Sequence, residues 1–282
     1  MMEMKKSPAA LLLGGDHRMT YTADVLAKKG YAVSLWGQET DASPPKMESA
    51  IRGVSLVVLP IPVTRDGVHL NAPMAKSPIM LSQIVLALRP GQTVAGGTLP
   101  KAIAEAIRSK GCEIYDYQAD EDFALHNALA TAEGAIAMAI SESPDLLAGS
   151  RCTVIGFGRI AKQLCRLLKA MGAEVSVLAR KSTDRTLAQT LGYPTHPIDD
   201  GEAVLKQSTM IFNTVPVCLY NFDRLGLSLD AIVIDLAPIY PAGDSPKVIR
   251  AAALPAKYAP AFAGRLIGKC ILAHMGKEEG AL

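Results

Sequence analysis

The chain has 282 residues, 49% of them hydrophobic and 20% charged, with a formal net charge of +2. That length suits two cores, and so small a charge excludes an electrostatic case for nucleic acid or an acidic membrane as partner. Five scattered cysteines, never spaced Cys-x-x-Cys, exclude a disulfide framework or structural zinc site and point to a reducing compartment. No apolar run reads as transmembrane, residues 9–13 are too short for a signal peptide, and a cytoplasmic protein is expected.

In chain order, residues 9–13 are an apolar run ending in Gly14-Gly15-Asp16-His17-Arg18, which reads as strand, turn and helix start. A helix over 21–29 is capped by Gly30, and a strand covers 31–36. A third strand over 54–59 is closed by Pro60 and Pro62. A helix over 79–88 ends at Arg89-Pro90-Gly91, and a strand over 93–95 follows. A helix over 99–110 and a strand over 113–117 complete the first half. Strands alternating with helices predict a parallel sheet covered on both faces. Residues 1–120 are therefore expected as an N-terminal, substrate-side α/β domain. The Gly14–Arg18 turn lies at a strand's carboxyl end and a helix's N-terminus, a ready anion site. Gly15, Asp16 and Arg18 are assigned to substrate there, with Arg18 as a carboxylate clamp.

Residues 123–140 have helical period, and 121–150 are read as a linking helix and hinge, with a boundary near Pro144 and Gly149. At 100° per residue, Leu125, Leu129, Ala132 and Ile136 gather on one side, the expected core face. His126 and Glu133 nearly superpose elsewhere, with Asn127, Thr131 and Gly134 along the same arc. Glycine in a helix interior costs ~1 kcal/mol relative to alanine, so Gly134 suggests close approach by another group. His126 or Glu133 is expected as a proton acceptor, with Asn127 and Thr131 as polar orienters.

The stretch Thr153-Val154-Ile155-Gly156-Phe157-Gly158-Arg159-Ile160-Ala161 carries the most chemistry. A β-branched run meets Gly-x-Gly-x-x-Ala and then a helix over 162–169, with a second strand over 174–179. This is the βαβ pattern of a dinucleotide site, the pyrophosphate lying on the helix N-terminus. That second strand ends in Ala179-Arg180-Lys181-Ser182-Thr183, with no acid until Asp184. An acid there would bond ribose hydroxyls and repel a 2′-phosphate, whereas Arg180, Lys181 and Ser182 suit one, so NADP is favoured over NAD. Strands over 210–213 and 232–236 end in Asn213-Thr214-Val215-Pro216 and at Asp235, at the edge where a nicotinamide ribose would lie. Asn213 is assigned to substrate; Thr214, Val215, Pro216 and Asp235 are assigned to cofactor. Residues 151–257 are thus an NADP-binding Rossmann domain. Ala263, Leu266, Ile267, Cys270 and Ile271 form the apolar stripe of a closing helix within 258–282, which returns to the first domain. The fold class is α/β: two doubly wound, Rossmann-like parallel-sheet domains with an interdomain cleft. No metal spacing is found.

Gly14-Gly15-Asp16-His17-Arg18, the 127–136 segment, Gly156-Phe157-Gly158-Arg159, Asn213-Thr214-Val215-Pro216 and Ile234-Asp235-Leu236-Ala237 together resemble the A subunit of dipicolinate synthase. The resemblance runs from about residue 8 to about residue 275. It implies a cytoplasmic enzyme of the mother cell in spore-forming bacteria, acting with a flavoprotein-like B subunit on an intermediate of the lysine pathway. The implied chemistry is loss of water and NADP-linked oxidation of a cyclic dicarboxylate to dipicolinate. The chain departs from the family at 238–243, at Leu254-Pro255-Ala256 and at 259–264, where a lysine and a threonine are absent. A homodimer is open. So are two other readings: a non-catalytic, NADP-binding companion of another enzyme, and a 2-hydroxy-acid or shikimate-type dehydrogenase.

Overall fold

A computed structural model describes residues 7–38, 46–217, 219–237 and 245–276. The chain divides into two compact units, one made of the residues up to His126 together with those from Pro260 onward, the other of Asn127–Ala259. The division falls inside a helix, not in the turn near Pro144 and Gly149.

The first unit is a sheet of β1 (Ala9–Leu13), β2 (Ala32–Trp36), β3 (Leu56–Val58), β4 (Thr93–Gly96) and β5 (Glu113–Asp116), all parallel, in the order β2-β1-β3-β4-β5. Its inner strands β1, β3 and β4 are short apolar runs stopped by glycine, proline or a polar turn, and they are buried on both faces. Alternate residues serve opposite faces, as strand geometry requires. Ala10 and Leu12 join one core with Tyr117 and Phe123, while Leu11 and Leu13 join the other with Ile84 and Ile107. Helices α1 (Arg18–Lys28), α2 (Met47–Arg52), α3 (Leu81–Ala87) and α4 (Lys101–Ser109) connect the strands.

The unit is completed by α10 (Pro260–His274), the last of the helices, so the C-terminal helix does return to the first sheet. Leu266, Ile267 and Ile271 are each 1% exposed, and burying each contributes roughly 1.5–3 kcal/mol. Close approach to α1 depends on Gly264: a Cβ there would collide with the Arg18 carbonyl oxygen and lie 2.7 Å from Tyr21 Cβ. Thr22 Oγ1 closes the contact by donating to the Gly264 carbonyl at 2.9 Å.

The second unit carries β6 (Arg151–Ile155), β7 (Glu174–Leu178), β8 (Thr195–His196), β9 (Met210–Asn213), β10 (Ile232–Asp235) and β11 (Val248–Arg250). They form a parallel sheet in the order β11-β10-β9-β6-β7-β8, the doubly wound order that reverses direction between β6 and β9. Its connections include α6 (Arg159–Ala170), α7 (Ser182–Thr190) and α8 (Glu202–Gln207), and α9 (Leu254–Tyr258) follows its last strand. Cys152, Val154, Met210 and Phe212 fill one core, and Ile155, Ile211 and Val233 the other.

Helix α5 (Glu121–Glu142) carries the division between the units. By length and composition alone it is apolar enough to cross a membrane, contrary to the expectation that no run reaches that length. Its small faces are instead spent inside the protein: Ala128, Ala130, Ala132, Ala135 and Ala139 are buried. The expected core face needs correcting. Ala132 and Ile136 are buried, but Leu125 is 43% exposed and Leu129 half-buried. Alanine lets neighbouring elements approach more closely than leucine does, so the small residues take the interior.

Candidate functional site

In the second unit, Gly156 follows β6 at φ +99°, a conformation that L side chains rarely adopt. A Cβ there would stand 2.5 Å from Thr214 Oγ1 and 2.8 Å from Val215 Cγ1. Thr214 Oγ1 in turn donates to the Ile155 carbonyl at 2.8 Å, locking the loop after β9 against the turn after β6. Gly158 is the opposite case, with nothing within 4 Å of the place a Cβ would take, and it caps α6 without a side-chain capping bond. A tight turn, an open glycine and an uncapped helix start are what a pyrophosphate requires.

These residues line a groove of about 360 Å³ at the carboxyl ends of the strands, beside the β6–β9 reversal. Of the expected cofactor residues it brings together Gly156, Phe157, Gly158, Arg180, Lys181, Thr214, Val215 and Pro216. Phe157 contributes backbone only: its ring is 4% exposed and packs edge-on to Tyr193 in the core. Arg159 and Ile160 open α6, the first exposed and the second packed on the core. Arg180 is exposed, and no hydrogen bond or ion pair occupies its guanidinium among the described residues. Ser182 is the exposed first residue of α7, and Asp184 in that first turn lines the groove.

Two features escape the sequence pattern. Arg185 donates from Nη1 to the Ala179 and Arg180 carbonyls, each at 2.8 Å, and so fixes the turn that presents Arg180. Ile198 and Leu219 supply apolar lining. Arg185 is legible as a cation in the first turn of the helix after that strand end; Ile198 follows a two-residue strand with no pattern of its own.

Asn213 and Asp235 are not ligand-facing. Asp235 is fully buried and accepts from Asn213 Nδ2 at 2.8 Å and from the Ala237 N–H at 3.1 Å. Asn213 is 4% exposed and also bonds the Val215 carbonyl at 3.3 Å. The pair joins the ends of β9 and β10 and shapes the Thr214–Pro216 loop, which corrects both assignments: each positions the loop.

In the first unit the anion site at Gly14–Arg18 is filled from within. Asp16 Oδ1 accepts from the Arg18 N–H at 3.1 Å and from Arg18 Nε at 2.8 Å, and Oδ2 accepts from Arg18 Nη2 at 2.8 Å. Nη2 also donates to the Ile61 carbonyl at 2.8 Å, and Arg18 is only 7% exposed. Burial pushes the Asp16 carboxyl up, but the hydrogen bonds and charge of Arg18 outweigh it and hold it below its ordinary value. Arg18 is therefore no open clamp. Gly15 donates its N–H to the Asn71 carbonyl at 2.8 Å. The turn is a bracket for residues 61–71.

On α5, His126 Nδ1 lies 2.7 Å from the Asp122 carbonyl, so Nδ1 carries the proton and Nε2 is left as the acceptor. Thr131 Oγ1 donates to the Asn127 carbonyl at 2.7 Å, which spends its hydrogen locally. Asn127 is half-buried, with no hydrogen bond to its amide among the described residues. Glu133 is exposed and borders a shallow apolar depression with Ile136, Ala137, Ile140, Leu167 and Met171. That depression shares no residue with the strand-end groove. Gly134 does mark a close approach, but by the protein: a Cβ would lie 2.9 Å from Leu254 Cβ and 3.1 Å from Tyr258 Cδ2 on α9. Of the segments that depart from the family pattern, 254–256 thus opens a helix packed against α5, and 238–243 lies outside the described residues.

Comparison with known proteins agrees with this geometry. Residues 10–118 match the N-terminal domain of the dipicolinate synthase A subunit, and residues 123–221 match the NAD binding domain of D-isomer specific 2-hydroxyacid dehydrogenases. The dipicolinate synthase A subunit of Bacillus subtilis (strain 168) is 26% identical over 246 residues, covering 83% of this chain and 82% of that protein. In fold, the crystal structure of the dipicolinate synthase A subunit from Bacillus halodurans is similar with a TM-score of 0.83, at 22% identity, over 96% of this chain and 98% of that one. The corresponding crystal structure from Bacillus subtilis gives 0.81 at 21% identity, over 98% and 99%. The chain is thus similar to the dipicolinate synthase A subunit over most of its length, with a match to that subunit's N-terminal domain followed by a match to a dehydrogenase NAD binding domain.

Proposed function

We propose that the chain is the NADP-linked component that oxidises a dihydrodipicolinate-type cyclic dicarboxylate to dipicolinate, in the cytoplasm of the mother cell during spore formation, and that it works with a flavoprotein-like B subunit. The observation that carries this reading is a family-specific N-terminal domain joined to a dinucleotide groove whose outer end bears Arg180 and Lys181. The residues present fit the cofactor. Gly158 leaves room for phosphate, the uncapped start of α6 offers N–H donors, and Arg180 and Lys181 stand where a 2′-phosphate needs cations. Hydride acceptance is the chemistry such a cofactor supplies when bound.

The protein's own share is binding, orientation and a proton. Aromatisation of a dihydropyridine removes two hydrogens, one as hydride and one as a proton. His126 is the acceptor for the proton in this reading, because its Nδ1–H is held by the Asp122 carbonyl and Nε2 keeps a lone pair. Asn127 offers an unspent amide to the ring's polar groups.

NAD is the second reading, and Asp184 favours it: a carboxylate lining the groove would accept from ribose hydroxyls and repel a 2′-phosphate. Titration of both cofactors into wild type and Arg180→Asp separates the two. The NADP reading expects NADP(H) affinity to fall at least about tenfold, from loss of a charge-assisted bond of roughly 1.5–3 kcal/mol, with NAD(H) much less affected. Equal loss for both cofactors would overturn it. Formation of NADPH from freshly generated dihydrodipicolinate, with and without the B subunit, tests the reaction itself.

A further inference from the structure

With Arg18 committed to Asp16, the first unit needs another group to meet a carboxylate, and the loop that Arg18 holds supplies one. This loop leaves β3 and returns at α3. It flanks the β1–β3 reversal of the sheet, where open α/β sheets take their ligands. It is braced throughout: the Val63 N–H donates to the Gly97 carbonyl at 3.0 Å, that of Asn71 to the Val63 carbonyl at 2.8 Å, and that of Leu70 to the Ile79 carbonyl at 2.8 Å. His69 looks isolated in the sequence. In the structure it is half of a pair.

Asp66 Oδ1 accepts from the N–H groups of Val68 and His69, each at 2.8 Å, and Oδ2 lies 2.7 Å from His69 Nδ1. The backbone N–H of His69, then its ring, then the N–H of Val68 hold the Asp66 carboxyl far below its ordinary value, so it stays a carboxylate. A carboxylate on Nδ1 puts the proton there and orients the ring, leaving Nε2 as its outward end. Beside it Arg65 spends Nε on Asn71 Oδ1 at 3.3 Å, and Asn71 is itself fixed by donating to the Pro62 carbonyl at 3.0 Å. Among the described residues no hydrogen bond or ion pair takes the two terminal nitrogens of Arg65, which face a ligand in this reading.

These side chains line an open depression of about 460 Å³, within the range of small-molecule sites. The charged groups around it are Arg65, Lys76 and Asp66; Asp66 is spent on its own loop, and Arg65 carries the outward charge on which the site depends. Leu70, Ala72, Pro73 and Pro78 give an apolar wall suited to the face of a small ring.

We propose that this depression is the carboxylate-recognition site of the first unit, binding a small ring carboxylate with Arg65 on the carboxylate and His69 Nε2 bonded to the same ligand. Asp66 is a positioning residue that sets the His69 tautomer. The choice of a pyridine dicarboxylate as ligand rests on the function proposed above.

The test is calorimetric titration of dipicolinate into the full-length wild-type chain, Arg65→Met, His69→Gln and Asp66→Asn, with nitrogen NMR of the His69 ring. Arg65→Met is expected to lose about tenfold or more in affinity, and His69→Gln to lose less. Neither should change NADPH binding or thermal stability, since His69→Gln keeps the backbone bond to Asp66. Dipicolinate should shift the His69 Nε2 resonance in wild type, and Asp66→Asn should change the ring's tautomer. Wild-type protein that binds no dipicolinate, or variants that keep wild-type affinity, would overturn the site. The function is judged apart from this. NADPH formation that continues in Arg65→Met at unchanged KM removes the site and leaves the function. Dipicolinate binding that depends on Arg65, without NADPH formation by the wild type alone or with the B subunit, removes the function and leaves the site.

Discussion

Replacement of Arg18 by methionine separates a bracket from a clamp. The substitution keeps most of the buried stem but removes three side-chain bonds: two to Asp16 and one to the Ile61 carbonyl. Breaking a fully buried ion pair from one side costs about 3–5 kcal/mol, but the Asp16 side chain is 26% exposed, against 9% for Arg18, so water can partly rehydrate the orphaned carboxylate. A loss of about 2–3 kcal/mol follows, which for a unit of this size lowers Tm by roughly 5–10 °C. The pH dependence has a definite sign. Because Arg18 depresses the Asp16 carboxyl below its ordinary 3.8 in the folded state, its contribution is full above that value and is lost as pH falls through the folded one. The gap between wild type and Arg18→Met should therefore be constant near neutrality and narrow below about pH 4. Thermal melts across pH, with dipicolinate titrations at neutral pH on the folded variant, measure both effects. An Arg18→Met protein of unchanged Tm but weakened dipicolinate binding would refute the bracket and restore the clamp.

Gly156→Ala places a Cβ 2.5 Å from Thr214 Oγ1 at a positive φ, and should cost about 2–3 kcal/mol while abolishing NADPH fluorescence enhancement. Ordinary binding by a stable Gly156→Ala protein would mean that the turn is not the pyrophosphate site. Gly264→Val drives a side chain into the Arg18 carbonyl and Tyr21, and should lower the denaturant midpoint by prising α10 from α1; an unshifted urea midpoint would contradict that packing.

Much of this architecture is legible before any coordinates. The strands Ala9–Leu13, Glu174–Leu178 and Met210–Asn213 are apolar runs bounded by glycine, proline or polar turns, and local signals suffice to place them. Short elements are different. Helix Met47–Arg52 and the strands Thr195–His196 and Val248–Arg250 owe their form to neighbours in the sheet and core, with too few residues to show a period. The interior of α5 was misjudged because hydrophobicity favours leucine, whereas close packing favoured alanine and Gly134. Arg18 was misjudged for another reason: the sequence does not distinguish an arginine aimed at a ligand from one folded back on an aspartate two residues earlier. Asp66-x-x-His69 has a spacing that allows a turn-borne pair, but only the fold of the loop brings the two side chains together.

The two units treat their strand ends by the same logic, and it explains which site assignments changed. In each, the turn after the central strand is tied to the loop after its partner across the sheet reversal. Gly15 to Asn71 and Arg18 to Ile61 do this in one unit, and Thr214 to Ile155 does it in the other. In the second unit Asn213 and Asp235 add a buried tie between the ends of β9 and β10. Such ties must be polar, because backbone groups at strand ends lack ladder partners and cannot stay unsatisfied when buried. They are therefore polar residues at strand ends, the very signature by which ligand-binding residues are sought. Burial and prior commitment tell the two apart. Arg18, Asn213 and Asp235 are buried with named partners, whereas Arg65, Arg180 and Lys181 are exposed on segments that those partners or Arg185 hold still. Substituting the buried set should change stability first and affinity only as a consequence. Substituting the exposed set should change affinity at constant stability.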